Sequence, residues 1–262
     1  MICKICNSES AFFSEGEILN KYKIKYYKCD ECGFVQTEEP YWLKEAYTEV
    51  INKSDIGYAG RNLVLSKVTK LIINLFLSKS GKFLDYGAGY GLFVRLMRDS
   101  GYDFYWQDNY CENIFANGFA IEDSGTENFE LVTGFELFEH FLNPVEEIEK
   151  ILKYSKNVLV STFLFPAGNP KPGEWWYYGL EHGQHISLYS YDTMKFLAKK
   201  YGLNLYTNKK NLHLFTERKL NSLMFRYISL KNIYLSLRAF PKKTSLHDSD
   251  YKHILEKLKG VK

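Results

Sequence analysis

Four cysteines stand in two pairs, Cys3-x-x-Cys6 and Cys29-x-x-Cys32. Each pair has the spacing of a knuckle, a tight turn that aims two sulfurs at one point. Two knuckles supply four thiolates in the tetrahedral arrangement that zinc takes in closed structural sites. Gly33 follows the second pair, where such a turn needs a residue free to adopt positive φ. Redox chemistry of a CxxC pair and an iron–sulfur centre are the competing uses of these sulfurs. Catalytic zinc is excluded by the count, because four cysteines leave no open coordination position. Cys111 has no partner in sequence and reads as a small packing residue.

A second constellation is the run Phe83-Leu-Asp-Tyr-Gly-Ala-Gly-Tyr-Gly91. An apolar strand delivers Asp85, and Gly87, Ala88, Gly89 and Gly91 then form a turn into a helix. The glycines let the backbone bend sharply and approach a ligand with no Cβ in the way. Dinucleotide sites use G-x-G-x-x-G and hold pyrophosphate at a helix N-terminus. Here the spacing is G-x-G-x-G, and the acid just before it would repel phosphate but suits a cationic amino group. Asp108, followed by Asn109, closes the next strand, where a carboxylate can accept hydrogen bonds from a ribose diol. A solvated strand end is the plainer reading of Asp108. Together these residues favour an aminoacyl-nucleoside without phosphate, and S-adenosylmethionine fits.

The elements that must position these groups follow from periodicity. The segment KYKIKYYKCD alternates and reads as a strand entering the second knuckle, and TEEPYWLKEAYTEV as a turn and short helix. Residues 62–77 carry apolar positions at helical spacing. From Gly81 strands and helices alternate. KFLDY, YDFYWQD, FELVTGF and NVLVSTFLF read as strands, with LNLYTN and LHLFTE as a closing pair. GLFVRLMRDSG, CENIFANG, NPVEEIEKILKYS and SYDTMKFLAKKYG read as helices. Such alternation predicts a parallel sheet covered by helices on both faces. FRYISLKNIYLSLRAF is basic and amphipathic, a helix packed on the domain or, less simply, a membrane-surface element, and KHILEKLK is helical. The expected organisation is a zinc ribbon at 1–40, lead-in helices at 41–80, a cofactor-binding domain at 81–216 and a basic helical extension at 217–262.

A chain of 262 residues buries one full core with an appendage to spare. Its net charge of +3, from 34 basic and 31 acidic side chains, gives no support to a strong grip on nucleic acid. The start MICKICNSES lacks the apolar core of a secretory signal, and LIINLFL is too short to span a bilayer. A cytoplasmic protein with reduced cysteines is expected.

Asp85-Tyr-Gly87-Ala-Gly89-Tyr-Gly91 resembles the first motif of the class I methyltransferases. Gly134-Phe-Glu136-Leu-Phe-Glu139-His140 is similar to the segment after their fourth strand. The likeness runs over roughly residues 60 to 215, and with the cysteine ribbon the whole resembles bacterial methyltransferases of nucleotide-linked sugars and surface-glycan precursors. The resemblance implies a Rossmann-like α/β fold with a mostly parallel seven-stranded sheet. It implies that Gly87 and Gly89 line the methionine portion, Asp85 orients its amino group and Asp108 holds the ribose. Adenine would be met near Asp123 or Ser124, and Glu136 would support the cofactor pocket.

The segment PAGNPKPGEWWYYGLEHGQHISLYS reads as a lid, its aromatic residues Trp175 to Tyr178 offering flat faces to a sugar ring or nucleobase. Methyl transfer to oxygen requires the hydroxyl to lose its proton, and His182 or His185 is the natural base. The alternative for His185 is a hydrogen bond to backbone that fixes the loop. Metal ligation by both histidines lacks a carboxylate partner in the sequence. The expected activity is methylation of a hydroxyl on a nucleotide-activated sugar or related precursor. An RNA methyltransferase gripping RNA through its ribbon lysines and a non-catalytic cofactor-binding scaffold are the competing readings.

Overall fold

The computed structural model describes residues 1–48, 55–229 and 243–258. In chain order the strands are β1 (Ser10–Ile18), β2 (Tyr22–Cys29), β3 (Val35–Thr37), β4 (Lys82–Tyr86), β5 (Asp103–Gln107), β6 (Leu131–Phe135), β7 (Val158–Ser161), β8 (Ser187–Leu188), β9 (Asn204–Thr207) and β10 (Leu212–Thr216). The helices are α1 (Leu43–Ala46), α2 (Tyr58–Phe76), α3 (Leu92–Asp99), α4 (Pro144–Tyr154), α5 (Tyr191–Lys200), α6 (Ser222–Ile228) and α7 (His247–Leu258). Two compact units share the chain. One comprises Met1–Lys53, Glu136–Lys150 and Val160–Arg218, and the other Ser54–Phe135, Ile151–Leu159 and Lys219–Lys262.

In the first unit β1, β2, β3 and β8 form a four-stranded sheet in that order. The β2 sequence buries Ile24, Tyr26 and Cys29 while Lys23 and Lys25 face water. Antiparallel register sets Glu15 opposite Lys25 and Glu17 opposite Lys23 on β1, so each of these lysines faces an acid across the strands. One apolar cluster fills the unit: Ile24, Tyr26, Val35 and Trp42 from the N-terminal segment meet Tyr177, Tyr178, Ile186 and Leu188. The second half of the expected lid is therefore largely core, whereas none of residues 166–176 is buried. Tyr177 and Tyr178 are buried, because rings of that size are worth more removed from water than displayed to it. Trp176, 68% exposed, is the ring that faces solvent.

In the second unit β4 pairs in parallel with β5 on one side and β6 on the other. The sheet runs β5-β4-β6-β7 here, and β7-β10-β9 within the first unit, with β10 antiparallel to β9. The result is a Rossmann-like α/β fold on a mostly parallel sheet of six strands among the described residues. The seventh strand is reduced to one parallel bridge between Trp106 and Ala120. CENIFANG is not helical. The Asn113 side chain accepts from the Ala116 N–H and donates to the Ala116 carbonyl, taking the groups a helix would use. The core of this unit stacks Phe83 on Phe104, with Phe93 edge-on to Phe104. Most of the basic segment after α6 lies outside the described residues. Among those described, no helix is long and apolar enough to cross a membrane.

Candidate active site

The turn after β4 is built as its glycines demand. Gly87, Gly89 and Gly91 all have positive φ, at 72°, 53° and 84°, where a side chain is strained. The N–H groups of Gly87 and Ala88 donate to the Gln107 carbonyl. The Gly89 N–H donates to Asp108 Oδ2, and the Gly89 carbonyl accepts the Trp106 indole N–H at 2.7 Å. A Cβ on Gly91 would press on Asn113 and Ala116. The turn is thus fixed by hydrogen bonds to Gln107, Asp108 and Trp106 around glycines with positive φ.

Asp85 is 3% exposed and accepts the Thr133 hydroxyl at 2.5 Å. Burial pushes its carboxyl up to about 7, partly opposed by that hydrogen bond and reinforced by Asp108. A cationic amino group beside Asp85 would reverse this by favouring the charged carboxylate. Asp108 accepts the N–H groups of Tyr110 and Cys111 on its second oxygen. Asn109 is exposed and accepts from Gln107. Asp123 caps its own 3-10 turn through the Ala120 N–H and pairs with Lys257, while neighbouring Ser124 is buried. Tyr58 carried no signal in sequence, yet burial and the nearby Asp85 carboxylate push its phenol up to about 12.

Glu136 belongs to the first unit. It takes a positive φ of 49°, rare for a residue with a Cβ. Its N–H and carboxylate both bond Ser161, the carboxylate accepting the hydroxyl at 2.6 Å.

The four paired cysteines meet in the first unit. Their sulfurs all lie within 4.8 Å of one another, with Cys3 and Cys32 3.6 Å apart and Cys6 and Cys29 3.4 Å apart. Zinc–sulfur bonds of about 2.3 Å place tetrahedral sulfurs about 3.8 Å apart, so the set fits zinc with small adjustments. Gly33 has a φ of 71°, and a Cβ there would run into the Ser190 hydroxyl.

A second cluster in the same unit gathers Glu139, His140, His182 and His185. The His185 ring lies 5.0 Å from that of His140 and 4.7 Å from that of His182, centroid to centroid. His185 Nδ1 is 2.6 Å from the Tyr177 carbonyl oxygen. A carbonyl only accepts, so Nδ1 carries the proton and the neutral ring keeps its lone pair on Nε2. His182 is the opposite tautomer, since its Nδ1 accepts the Gln184 N–H at 3.1 Å. Glu139 is fully buried and accepts the Tyr177 hydroxyl at 2.5 Å. Burial and Glu139 hold that phenol far above its usual range, so it remains a donor. Burial, His185 and His182 keep His140 neutral, and its Nδ1 is 2.9 Å from the Tyr47 hydroxyl. The carboxylate that the sequence did not place beside the histidines is Glu139. Only the fold brings it there.

No curated protein matches the sequence. Solved structures that match include the plantazolicin methyltransferase BpumL in complex with SAH, at 15% identity over 78% of this chain and 91% of that chain, with a TM-score of 0.48. CalO1, a methyltransferase in calicheamicin biosynthesis in its SAH-bound form, matches at 14% identity over 68% of this chain and 60% of that chain, with a TM-score of 0.45. An O-methyltransferase family protein from Burkholderia thailandensis matches at 10% identity over 70% and 65%, also with a TM-score of 0.45. The family model for the methyltransferase domain matches residues 61–208, more than half of the chain. The chain belongs to that family and is an S-adenosylmethionine-dependent methyltransferase.

Proposed function

We propose that this enzyme methylates a hydroxyl group of a small polar acceptor, of the class of nucleotide-activated sugars or related capsule and surface-glycan precursors. The observation that carries the reading is the His185 tautomer. With Nδ1–H committed to the Tyr177 carbonyl, Nε2 is the lone pair that takes the hydroxyl proton, while His182 presents an N–H instead. In its bound form S-adenosylmethionine supplies a sulfonium methyl group to the resulting oxygen nucleophile. Gly87, Ala88 and Gly89 cradle the methionine portion, Asp85 holds its amino group, and Asp108 with Asn109 receives the ribose. Asp123 lies on the adenine side. The exposed Trp176, edge-on to Phe163 at 5.1 Å, is the flat face for a sugar ring.

Cys3, Cys6, Cys29 and Cys32 would hold a zinc ion in a structural role. Thiols gathered for a metal, rather than joined in disulfides, suit a reducing cytoplasmic setting. An RNA acceptor is the weaker reading, because three of the four ribbon lysines stand beside acids: Lys23 opposes Glu17 and Lys25 opposes Glu15 across the strands, and Lys21 pairs with Glu45 at 2.8 Å. Such pairs leave few charges to release counterions from a phosphate backbone.

The test is transfer of labelled methyl from S-adenosylmethionine to a panel of nucleotide sugars and glycan precursors, with His185→Ala and His182→Ala in parallel. Labelled ether product from the wild type, lowered about 10²–10⁴-fold in His185→Ala alone, is the expected result. Full turnover by His185→Ala would remove the base assignment, and label on RNA alone would overturn the acceptor class.

A further inference from the structure

Glu139, His140 and His185 each offer one ligating atom, and the three atoms lie within 4.8 Å of one another. We propose that these three residues bind a divalent first-row transition-metal ion, at a site separate from the four cysteines. Two imidazoles and one carboxylate form a donor set suited to such ions rather than to calcium or magnesium, which prefer oxygen alone. Bonds of about 2.0–2.2 Å put tetrahedral ligand atoms about 3.4 Å apart, so atoms within 4.8 Å of one another close on an ion through side-chain shifts of less than about 1 Å.

Each ligand is oriented from behind, as metal-bound imidazoles and carboxylates generally are. Tyr177 holds two of them, donating its hydroxyl to Glu139 and accepting His185 Nδ1–H on its backbone carbonyl. Tyr47 meets His140 at Nδ1. With Nδ1–H on the Tyr177 carbonyl, His185 is left with Nε2 as its ligating atom. A neutral imidazole is the form that ligates a metal. His140 and His185 are partly buried, and Glu139 is enclosed.

Three protein ligands leave coordination positions for an oxygen donor, as in reactive rather than structural metal sites. What the ion does there rests on the hydroxyl-methylation reading: occupying His185 Nε2, it takes over from the imidazole the task of making the hydroxyl more acidic. Its binding does not depend on that reading.

The full-length protein, with zinc retained on its cysteines, is freed of weakly held metal with a mild chelator and titrated with Co2+. The expected result is one Co2+ per chain, with the weak d–d absorption of nitrogen and oxygen ligation and no intense thiolate-to-metal band. Glu139→Gln and His185→Ala should each weaken binding by well over tenfold, and the positioning variant Tyr47→Phe by about tenfold, with cysteine-bound zinc and circular dichroism unchanged. Wild-type protein that takes up no Co2+, or takes it up only with thiolate bands, overturns the site whether or not the variants fold. So does unchanged affinity in both ligand variants. Metal-free enzyme that still methylates a hydroxyl in a His185-dependent way would remove the ion's part in the reaction and leave the proposed function standing. Co2+ bound as described, with no hydroxyl acceptor methylated, would do the reverse.

Discussion

The Asp108 carboxylate accepts the Gly89 N–H at 2.9 Å, so the end of β5 fixes the centre of the turn that follows β4. Its other oxygen accepts the Tyr110 and Cys111 N–H groups at 2.8 and 2.9 Å. Three backbone donors depend on one side chain, and a ribose would share what acceptor capacity remains. Asp108→Ala strands all three donors, at a cost of about 1 kcal/mol or more in stability. The variant is expected to lose at least tenfold in affinity for S-adenosylhomocysteine by calorimetry. Asp108→Asn keeps one carbonyl acceptor and should fall between wild type and alanine. Equal affinities in all three proteins would show that Asp108 neither shapes the loop nor meets the ligand.

Asp85 gives the enzyme a pH signature of unusual sign. Burial raises its carboxyl from 3.8 to about 7. The folded protein therefore retains a proton that the unfolded chain has already released. The contribution to stability is greatest below the unfolded value and is lost as pH rises from about 4 to about 7. Asp85→Asn should flatten that part of the stability curve, read by urea unfolding at about pH 4, 6 and 8. A bound amino acid cation favours the carboxylate, so ligand binding near pH 6 should release a proton from the wild type. Binding enthalpies measured in buffers of different ionisation heat would reveal it. A proton release undiminished in Asp85→Asn would assign it elsewhere.

The parts of this molecule written in short spacings were readable from sequence. The cysteine pairs and the G-x-G-x-G turn are local, because a knuckle or a glycine bend is set by residues a few positions apart. The loop through Trp175 to Tyr178 misled for the opposite reason. Its prolines and glycines signal exposure, but the destination of Tyr177 and Tyr178 depends on Ile24, Tyr26 and Trp42, more than a hundred residues earlier. Separation in sequence also hid the Glu139–His185 cluster, since the ligands come from the segment after β6 and the loop before β8. CENIFANG failed at short range, where a single Asn113 side chain outbid the helix for backbone hydrogen bonds.

No spacing rule announces the link between Arg98 and Asp250, which joins α3 to α7. The guanidinium donates to both oxygens of Asp250 at 2.9 Å, and both side chains are under one-tenth exposed. Arg98 also donates to Asp103 and packs 3.7 Å from the Phe119 ring centroid. Asp250→Ala would leave a buried cation short of its main partner, which typically costs about 3–5 kcal/mol. The expected readout is a lower urea midpoint with α7 exchanging its amides early. Arg98→Met with Asp250→Leu should recover much of the loss, because a buried pair replaced by apolar side chains costs little. An unchanged midpoint in Asp250→Ala would mean that this pair does not hold α7.

The cysteine cluster reaches beyond its own knuckles. The Cys32 carbonyl accepts the Thr193 hydroxyl at 2.8 Å, and Ser190, whose side chain caps α5 by accepting the Thr193 N–H, lies against the same carbonyl. Metal loss should therefore loosen the start of α5 as well as the strands β1 to β3. Purified protein is expected to carry one zinc that a mild chelator leaves in place and a thiol-blocking reagent releases, since only thiolates hold it. Its release should expose Trp42, now 2% exposed, as a red shift and quenching of fluorescence, while the second unit, whose glycine loop contains none of these cysteines, keeps its secondary structure. Cys29→Ser should behave as the metal-free protein does from the start. If thiol blocking frees no zinc, or frees it without moving the fluorescence, the four sulfurs have a different use from the one their geometry suits.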